Sequence, residues 1–200
     1  MKLKRTSYFK DQQAGATAMQ AWVSRLEATN VRSYTTQTVE TALGQTVVYS
    51  LHTEHKNRPA FVIFPGFRTS SLYWDLDKGL DQLGDRFRIY MVETNGQPNL
   101  SDGHTPDIRG LDYGTWAGQI FEGLGLEAAY VAGASFGGLV ALKMAIVHPG
   151  KIKACFLLAS GGLQAFNFSF RNLYLNLLPV FSPKPKNIRK FLDRVVFHPP

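Results

Sequence analysis

The sequence predicts an α/β fold: a mostly parallel sheet with helices on both faces and an antiparallel hairpin at its N-terminal side. Three observations carry that expectation. Short apolar runs suited to strands, at 60–64, 87–92, 130–132 and 152–158, alternate with helix-forming stretches. Ahead of them, residues 36–42 and 46–52 alternate in character about the turn Leu43-Gly-Gln, the pattern of a hairpin. Finally, the pentapeptide Gly133-Ala-Ser-Phe-Gly137 stands between the third of those runs and an apolar-rich helical segment, 139–147.

Taken in order, residues 10–29 place Ala14, Ala18, Met19, Trp22, Val23 and Leu26 at near-helical spacing, predicting an amphipathic N-terminal helix. The hairpin follows. The polar turn His55-Lys-Asn-Arg-Pro59 leads into the strand at 60–64, which Pro65-Gly66 ends. A helix is expected over 72–83, a strand over 87–92, a long polar loop from Glu93 to Asp107 and a helix over 111–124 that contains three glycines. After the Ser135 turn and its helix come the strand at 152–158 and the turn Ser160-Gly-Gly. From Leu163 an aromatic helical stripe (Phe166, Phe168, Phe170, Tyr174) precedes a proline-rich break and a second amphipathic stretch at 188–196. Three domains are therefore expected: an N-terminal helical extension at 1–35, an α/β core at 36–162 and a helical segment at 163–200.

Composition narrows the functional classes. Two hundred residues, 44% of them apolar, suit a globular chain with a sizeable core. The single cysteine, Cys155, excludes an intrachain disulfide and reads as a small buried hydrophobe. No apolar run reaches membrane-spanning length, and no apolar segment follows the basic N-terminus, so a cytoplasmic location is expected. The net charge of +7 raises the question of a nucleic-acid partner. Up to Ser135, however, 13 Lys/Arg face 14 Asp/Glu, whereas nine basic residues and one acid follow it. That excess falls partly in Lys184-Pro-Lys-Asn-Ile-Arg-Lys190, which reads as a solvated helix entry, and no recognised nucleic-acid motif accompanies it.

A G-x-S-x-G between strand and helix has a chemical reading. The serine sits on a sharp turn that lifts its hydroxyl above the sheet, and the flanking glycines remove side chains that would collide. A dinucleotide fingerprint is excluded, because its second glycine would fall at Ser135. With this turn on the page, the chain from about 36 to 200 resembles the α/β-hydrolase superfamily, in particular its cap-bearing carboxylesterase branch. Four pieces match in order: Phe64-Pro-Gly-Phe-Arg-Thr-Ser-Ser-Leu-Tyr-Trp74, the loop from Glu93 to His104, the Ser135 turn, and Pro149-Gly-Lys-Ile-Lys-Ala-Cys-Phe-Leu-Leu-Ala-Ser.

The resemblance implies that Ser135 is a nucleophile and that the backbone N–H groups of Phe67 and Phe136 form an oxyanion hole. It also implies a substrate pocket at Gly66, Arg68 and Trp74, with no metal or cofactor, and a small-molecule ester as the partner. Pro65 stands where relatives carry a histidine, which alters local hydrogen bonding but leaves the N–H of Phe67. The family order also calls for an acid and a histidine after the serine. Only Asp193, His148 and His198 follow Ser135, and His148 matches a helix-exit position. His104, Asp193 and His198 are the candidates for the missing roles, and the strands that carry acid and base in relatives are not seen. The fold is accordingly expected to be incomplete at its C-terminus, ending within a helical cap. The aromatic stripe reads as a cap lining an acyl pocket, as generic core or as a lipid-facing helix. Two functional readings stay open: a carboxylesterase-type serine hydrolase, which the same turn does not distinguish from lactonase, C–C hydrolase or haloperoxidase chemistry, and a catalytically silent chain or binding protein on this fold.

Overall fold

The computed structural model describes residues 8–163, 174, 177, 178, 181, 182, 184–191 and 193. The chain divides into two compact units, Met1–Gly162 and Leu163–Pro200. The first is built on a six-stranded sheet in the order β1-β2-β4-β3-β5-β6. Its strands are β1 (Thr35–Thr41), β2 (Gly44–Leu51), β3 (Ala60–Phe64), β4 (Arg88–Val92), β5 (Ala129–Ala134) and β6 (Ile152–Leu158). The hairpin β1–β2 is antiparallel, closed by a turn at Ala42 and Leu43 before Gly44 at φ 92°. β2 also runs antiparallel to β4, and from there the β4–β3, β3–β5 and β5–β6 pairings are parallel.

β3 is buried at every position, and its alternation divides the core. Val62 and Phe64 face a cluster with Trp116, Ile120, Phe121, Val140 and Met144 on helices α3 (Asp112–Gly123) and α4 (Phe136–Val147). Phe61 and Ile63 face the other side, against Tyr49, Met91 and Leu72, where Trp22, Val23 and Leu26 of α1 (Gln12–Asn30) pack. A strand with both faces covered has no polar side to show, which is why this run is continuous rather than alternating. Asp11 caps α1 by accepting from the N–H of Ala14 at 2.9 Å.

One expected helix is corrected. Instead of a continuous helix over 72–83, a kinked 3-10 segment runs Ser71–Lys78 and a short helix α2 occupies Asp81–Gly84. The cause is Asp75, which is fully buried. Its carboxylate accepts from the Tyr34 hydroxyl at 2.6 Å and from Asn30 Nδ2 at 3.2 Å, and pairs with Arg32 at 3.3 Å. Tying the side chain inward twists the backbone, and Asp77 and Lys78 take left-handed φ values of 52° and 59°. One lysine of the basic C-terminal count, Lys143, is structural. It is 6% exposed and donates to the carbonyls of Ile108 and Gly110, anchoring the loop ahead of α3. Cys155 is half-buried against the first core cluster, and burial raises its thiol pKa.

In the second unit, α5 (Pro185–Phe191) is described, and Lys190 Nζ lies 5.2 Å from the centre of the Tyr174 ring. Most of the aromatic stripe, including Phe166, Phe168 and Phe170, lies outside the described residues, as does His198. Among the described residues no helix is long and apolar enough to cross a membrane.

Candidate active site

β5 ends at Ala134 and α4 begins at Phe136, so a single residue, Ser135, makes the turn between them. Its φ and ψ of 51° and −113° are far from any relaxed conformation of a non-glycine residue. Such a conformation costs on the order of 1–3 kcal/mol and persists only where the surroundings over-determine it. Here the surroundings are backbone. The Ser135 N–H donates to Leu158 O at 2.9 Å, and its carbonyl accepts from Gly161 N at 2.8 Å and Leu139 N at 3.2 Å.

The two glycines of the pentapeptide are steric requirements. A Cβ on Gly133 would lie 2.3 Å from the Gly137 carbonyl oxygen, and one on Gly137 would lie 2.1 Å from Phe64 O. Both collisions are with backbone, which cannot swing aside. The outcome is an exposed serine at the C-terminal edge of a parallel strand, where ligands meet open α/β sheets.

The strand next to β5 brings the second loop. A Cβ placed on Gly66 would be 3.9 Å from Ser135 Cβ and 3.7 Å from Ala134 O, so the residues after β3 reach the serine directly. The rings of Phe67 and Phe136 meet edge to face with centroids 6.0 Å apart. The backbone N–H groups of Phe67 and Phe136 donate no hydrogen bond among the described residues. Phe136 owes this to its place at the start of α4, where the first N–H groups have no intrahelical partner.

The loop carrying Phe67 is held from β4. Gln97, 2% exposed, accepts the N–H of Arg68 at 2.8 Å. Glu93, the residue after β4, is fully buried and accepts from Ser70 Oγ at 2.5 Å, from Ser71 Oγ at 2.9 Å and from Ser71 N at 3.1 Å. Burial pushes the Glu93 carboxyl up to about 7, against the opposing pull of those serine hydrogen bonds. Its Oε2 has no hydrogen-bond partner among the described residues. The loop after Glu93 is tied back in turn: Asn95 Oδ1 accepts from Thr46 and from Trp116 Nε1, and Ser101 Oγ donates to Glu93 O.

Arg68 is exposed at φ 58°, and its side chain makes no ion pair among the described residues. With Trp22, Met19, Phe9, Tyr73 and Pro98 it lines an open cleft of about 260 Å³ beside the loop. Trp74 is half-buried against the second core cluster, and Tyr73 lines the cleft in its place. His104 is half-buried, its Nε2 without a hydrogen-bond partner among the described residues, and Asp193 is exposed in the second unit. His148 terminates α4 with its ring over Gly118, where a Cβ would come within 2.2 Å of Nε2. Among the described residues no side chain hydrogen-bonds Ser135 Oγ. Sequence reasoning missed Glu93, Gln97 and Ser70; a carboxylate ending an apolar strand was the available signal.

Strand order, elbow and facing loop define an α/β hydrolase, and comparison with known proteins agrees: the chain belongs to the alpha/beta hydrolase fold family, matching it over residues 59–184. It is 27% identical over 121 residues to the uncharacterized carboxylesterase nap of Bacillus subtilis, covering 60% of this chain and 39% of that protein. It is also 27% identical over 115 residues to the carboxylesterase YbfK of the same organism, covering 58% and 38%. Among solved structures, naproxen esterase (carboxylesterase NP) from B. subtilis superposes with a TM-score of 0.73 at 22% identity, over 92% of this chain and 61% of that one. Carboxylesterase CesB (YbfK) gives 0.74 at 19%, over 93% and 64%. The matched region thus spans about two fifths of the curated relatives.

Proposed function

We propose that this chain carries the nucleophile and oxyanion hole of a carboxylesterase-type serine hydrolase acting on a small ester. The observation that carries this reading is the pairing of an exposed, strained Ser135 with two neighbouring backbone N–H groups, those of Phe67 and Phe136, that no carbonyl of the described residues occupies. The carboxylesterase names of the relatives support it.

In this reading Ser135 Oγ attacks the ester carbonyl carbon while its proton passes to a base. The carbonyl oxygen takes up the negative charge between the two N–H groups. Collapse expels the alcohol, which leaves with the proton, and water then hydrolyses acyl-Ser135 and restores the hydroxyl. Loss of one such donor typically costs about 2.7–4 kcal/mol of barrier, so holding Phe67 in place is a catalytic requirement. The N–H is a backbone group, and the Glu93 and Gln97 contacts act on it through the loop.

A second reading is favoured by the absence of any side chain hydrogen-bonded to Ser135 Oγ among the described residues. Without a base the 200-residue chain is a catalytically silent member of the fold. A fluorophosphonate probe separates the two. Covalent labelling of the wild type, lost in Ser135→Ala, is the expected result, and burst release of p-nitrophenol from p-nitrophenyl acetate then measures acylation. No labelling above the Ser135→Ala background favours the silent reading. Unchanged labelling of His104→Ala would remove His104 as the base.

A further inference from the structure

β2 runs antiparallel to β4, with Leu51 opposite Ile89 near the start of β4. The chain leaving β2 therefore lies at the end of the sheet opposite Ser135, which follows the C-terminal end of β5. There it makes a short turn, His52-Thr-Glu-His55, closed by hydrogen bonds from His55 N to His52 O at 3.3 Å and from Lys56 N to Glu54 O at 3.0 Å. His52 holds a left-handed φ of 58°.

The turn gathers three metal-ligating side chains. The Nε2 edge of His52 lies against α2, where a Cβ on Gly84 would come within 2.5 Å of it. This leaves Nδ1 facing Glu54, 4.0 Å from Oε1. His55 Nε2 is 3.1 Å from the same oxygen. The two imidazoles are nearly parallel, 21° apart with centroids separated by 6.4 Å, on either side of the carboxylate. One ligand atom from each residue falls within 4.8 Å of the others. A tetrahedral ion with donors at about 2.0–2.1 Å sets them roughly 3.4 Å apart, so these side chains need to close by at most about 1.4 Å. Their side chains are 36%, 66% and 42% exposed in chain order, which leaves a path for the ion and room for water ligands.

We propose that His52, Glu54 and His55 form a surface site for a divalent transition-metal ion of the zinc class, remote from Ser135. Two imidazoles and one carboxylate are a borderline donor set, suited to Zn²⁺, Ni²⁺ or Cu²⁺; Ca²⁺ and Mg²⁺ prefer oxygen ligands. The surrounding charge is mixed. Arg32 in the adjoining cleft is paired with Asp75 and Asp81, while Lys78 in that cleft and Lys56 and Arg58 on the turn itself are cations, Arg58 donating to Gly84 O. A bound ion would tie the β2–β3 connection to the edge of α2.

The test uses the full chain without a histidine tag. Calorimetric titration with Zn²⁺ at pH 7.5 should show one ion per chain and a raised Tm, with no response to Mg²⁺. His55→Ala, Glu54→Gln and His52→Asn, the last tolerating the left-handed φ, should each weaken binding by at least about 10–100-fold, the range that even outer-shell changes produce. Binding should weaken on acidification, because protons compete with the ion for its ligands. With Cu²⁺ as probe, electron paramagnetic resonance should show coupling to two nitrogens. Absence of Zn²⁺ binding, or titrations of wild type and the His52→Asn/His55→Ala double variant that coincide, would overturn the proposal, as would copper coupled to fewer than two nitrogens.

Discussion

The two loops that meet at Ser135 are built on opposite principles. The elbow between β5 and α4 owes its shape to missing side chains: Gly133 and Gly137 sit where any Cβ would strike backbone, and hydrogen bonds to Leu158, Gly161 and Leu139 hold the serine from its own main chain. The loop after β3 is shaped by side chains that are present and buried. Glu93 grips Ser70 and Ser71, and Gln97 grips Arg68. A backbone-built turn tolerates no change and needs no titratable group. A side-chain-built loop tolerates modest change and acquires a pH dependence with its carboxylate.

The sharpest way to break that comparison is at Gly137. Gly137→Ala would push a methyl to 2.1 Å from Phe64 O and 2.6 Å from Pro65 O, separating α4 from β3 at the elbow itself. The expected cost exceeds about 4 kcal/mol, in the exceptional class of single substitutions, and is read from urea denaturation. Gly150→Ala is the control, since nothing lies within 4 Å of the added carbon, and it should be nearly neutral. A Gly137→Ala protein as stable as the control would show that the elbow yields.

Glu93 comes next in size. Glu93→Ala strands the Ser71 N–H and two hydroxyls in a buried site, and an unsatisfied buried donor costs about 1–3 kcal/mol. The sign of the pH effect follows from the raised pKa. The folded carboxyl, at about 7, holds its proton where the unfolded one, near 4.5, has lost it. Folded chains therefore bind more protons between those values, and this group's contribution to stability is largest below about 4.5 and declines as pH rises towards 7. Glu93→Gln should keep most of the contacts and remove that decline. Denaturation midpoints of wild type and Glu93→Gln across pH 4.5–8 check it, and parallel curves would refute it.

How much of this was legible in the sequence follows from the same contrast. Features set by what a residue lacks are visible in one dimension: the glycine spacing around Ser135, the unbroken apolar run of β3 and the position of the hairpin matched the structure within a few residues, although β2 is buried at every position but Gln45 instead of alternating. Features set by a partner far along the chain were not. Asp75 meets Asn30 and Tyr34, more than 40 residues away, and that bond cut an apparently regular helix in two. The role of Lys143 was not visible because the carbonyls it anchors, those of Ile108 and Gly110, are backbone and leave no mark on sequence. Glu93 looked like the start of a polar loop, and only the meeting of β4 with the β3 loop makes it a buried clamp.

The smallest expected effect tests whether the side-chain-built loop transmits anything to the Phe67 N–H. Gln97→Ala removes the acceptor of the Arg68 N–H, a partly buried contact, and should cost about 1 kcal/mol. Amide exchange gives the more specific readout. Exchange at Arg68, and at Phe67 one residue before it, should accelerate in Gln97→Ala, while Phe136, fixed by the elbow, stays at its wild-type rate. Equal acceleration on both sides would mean that the two loops move as one. Unchanged exchange at Arg68 would mean that Glu93, through Ser70 and Ser71, holds the loop without help.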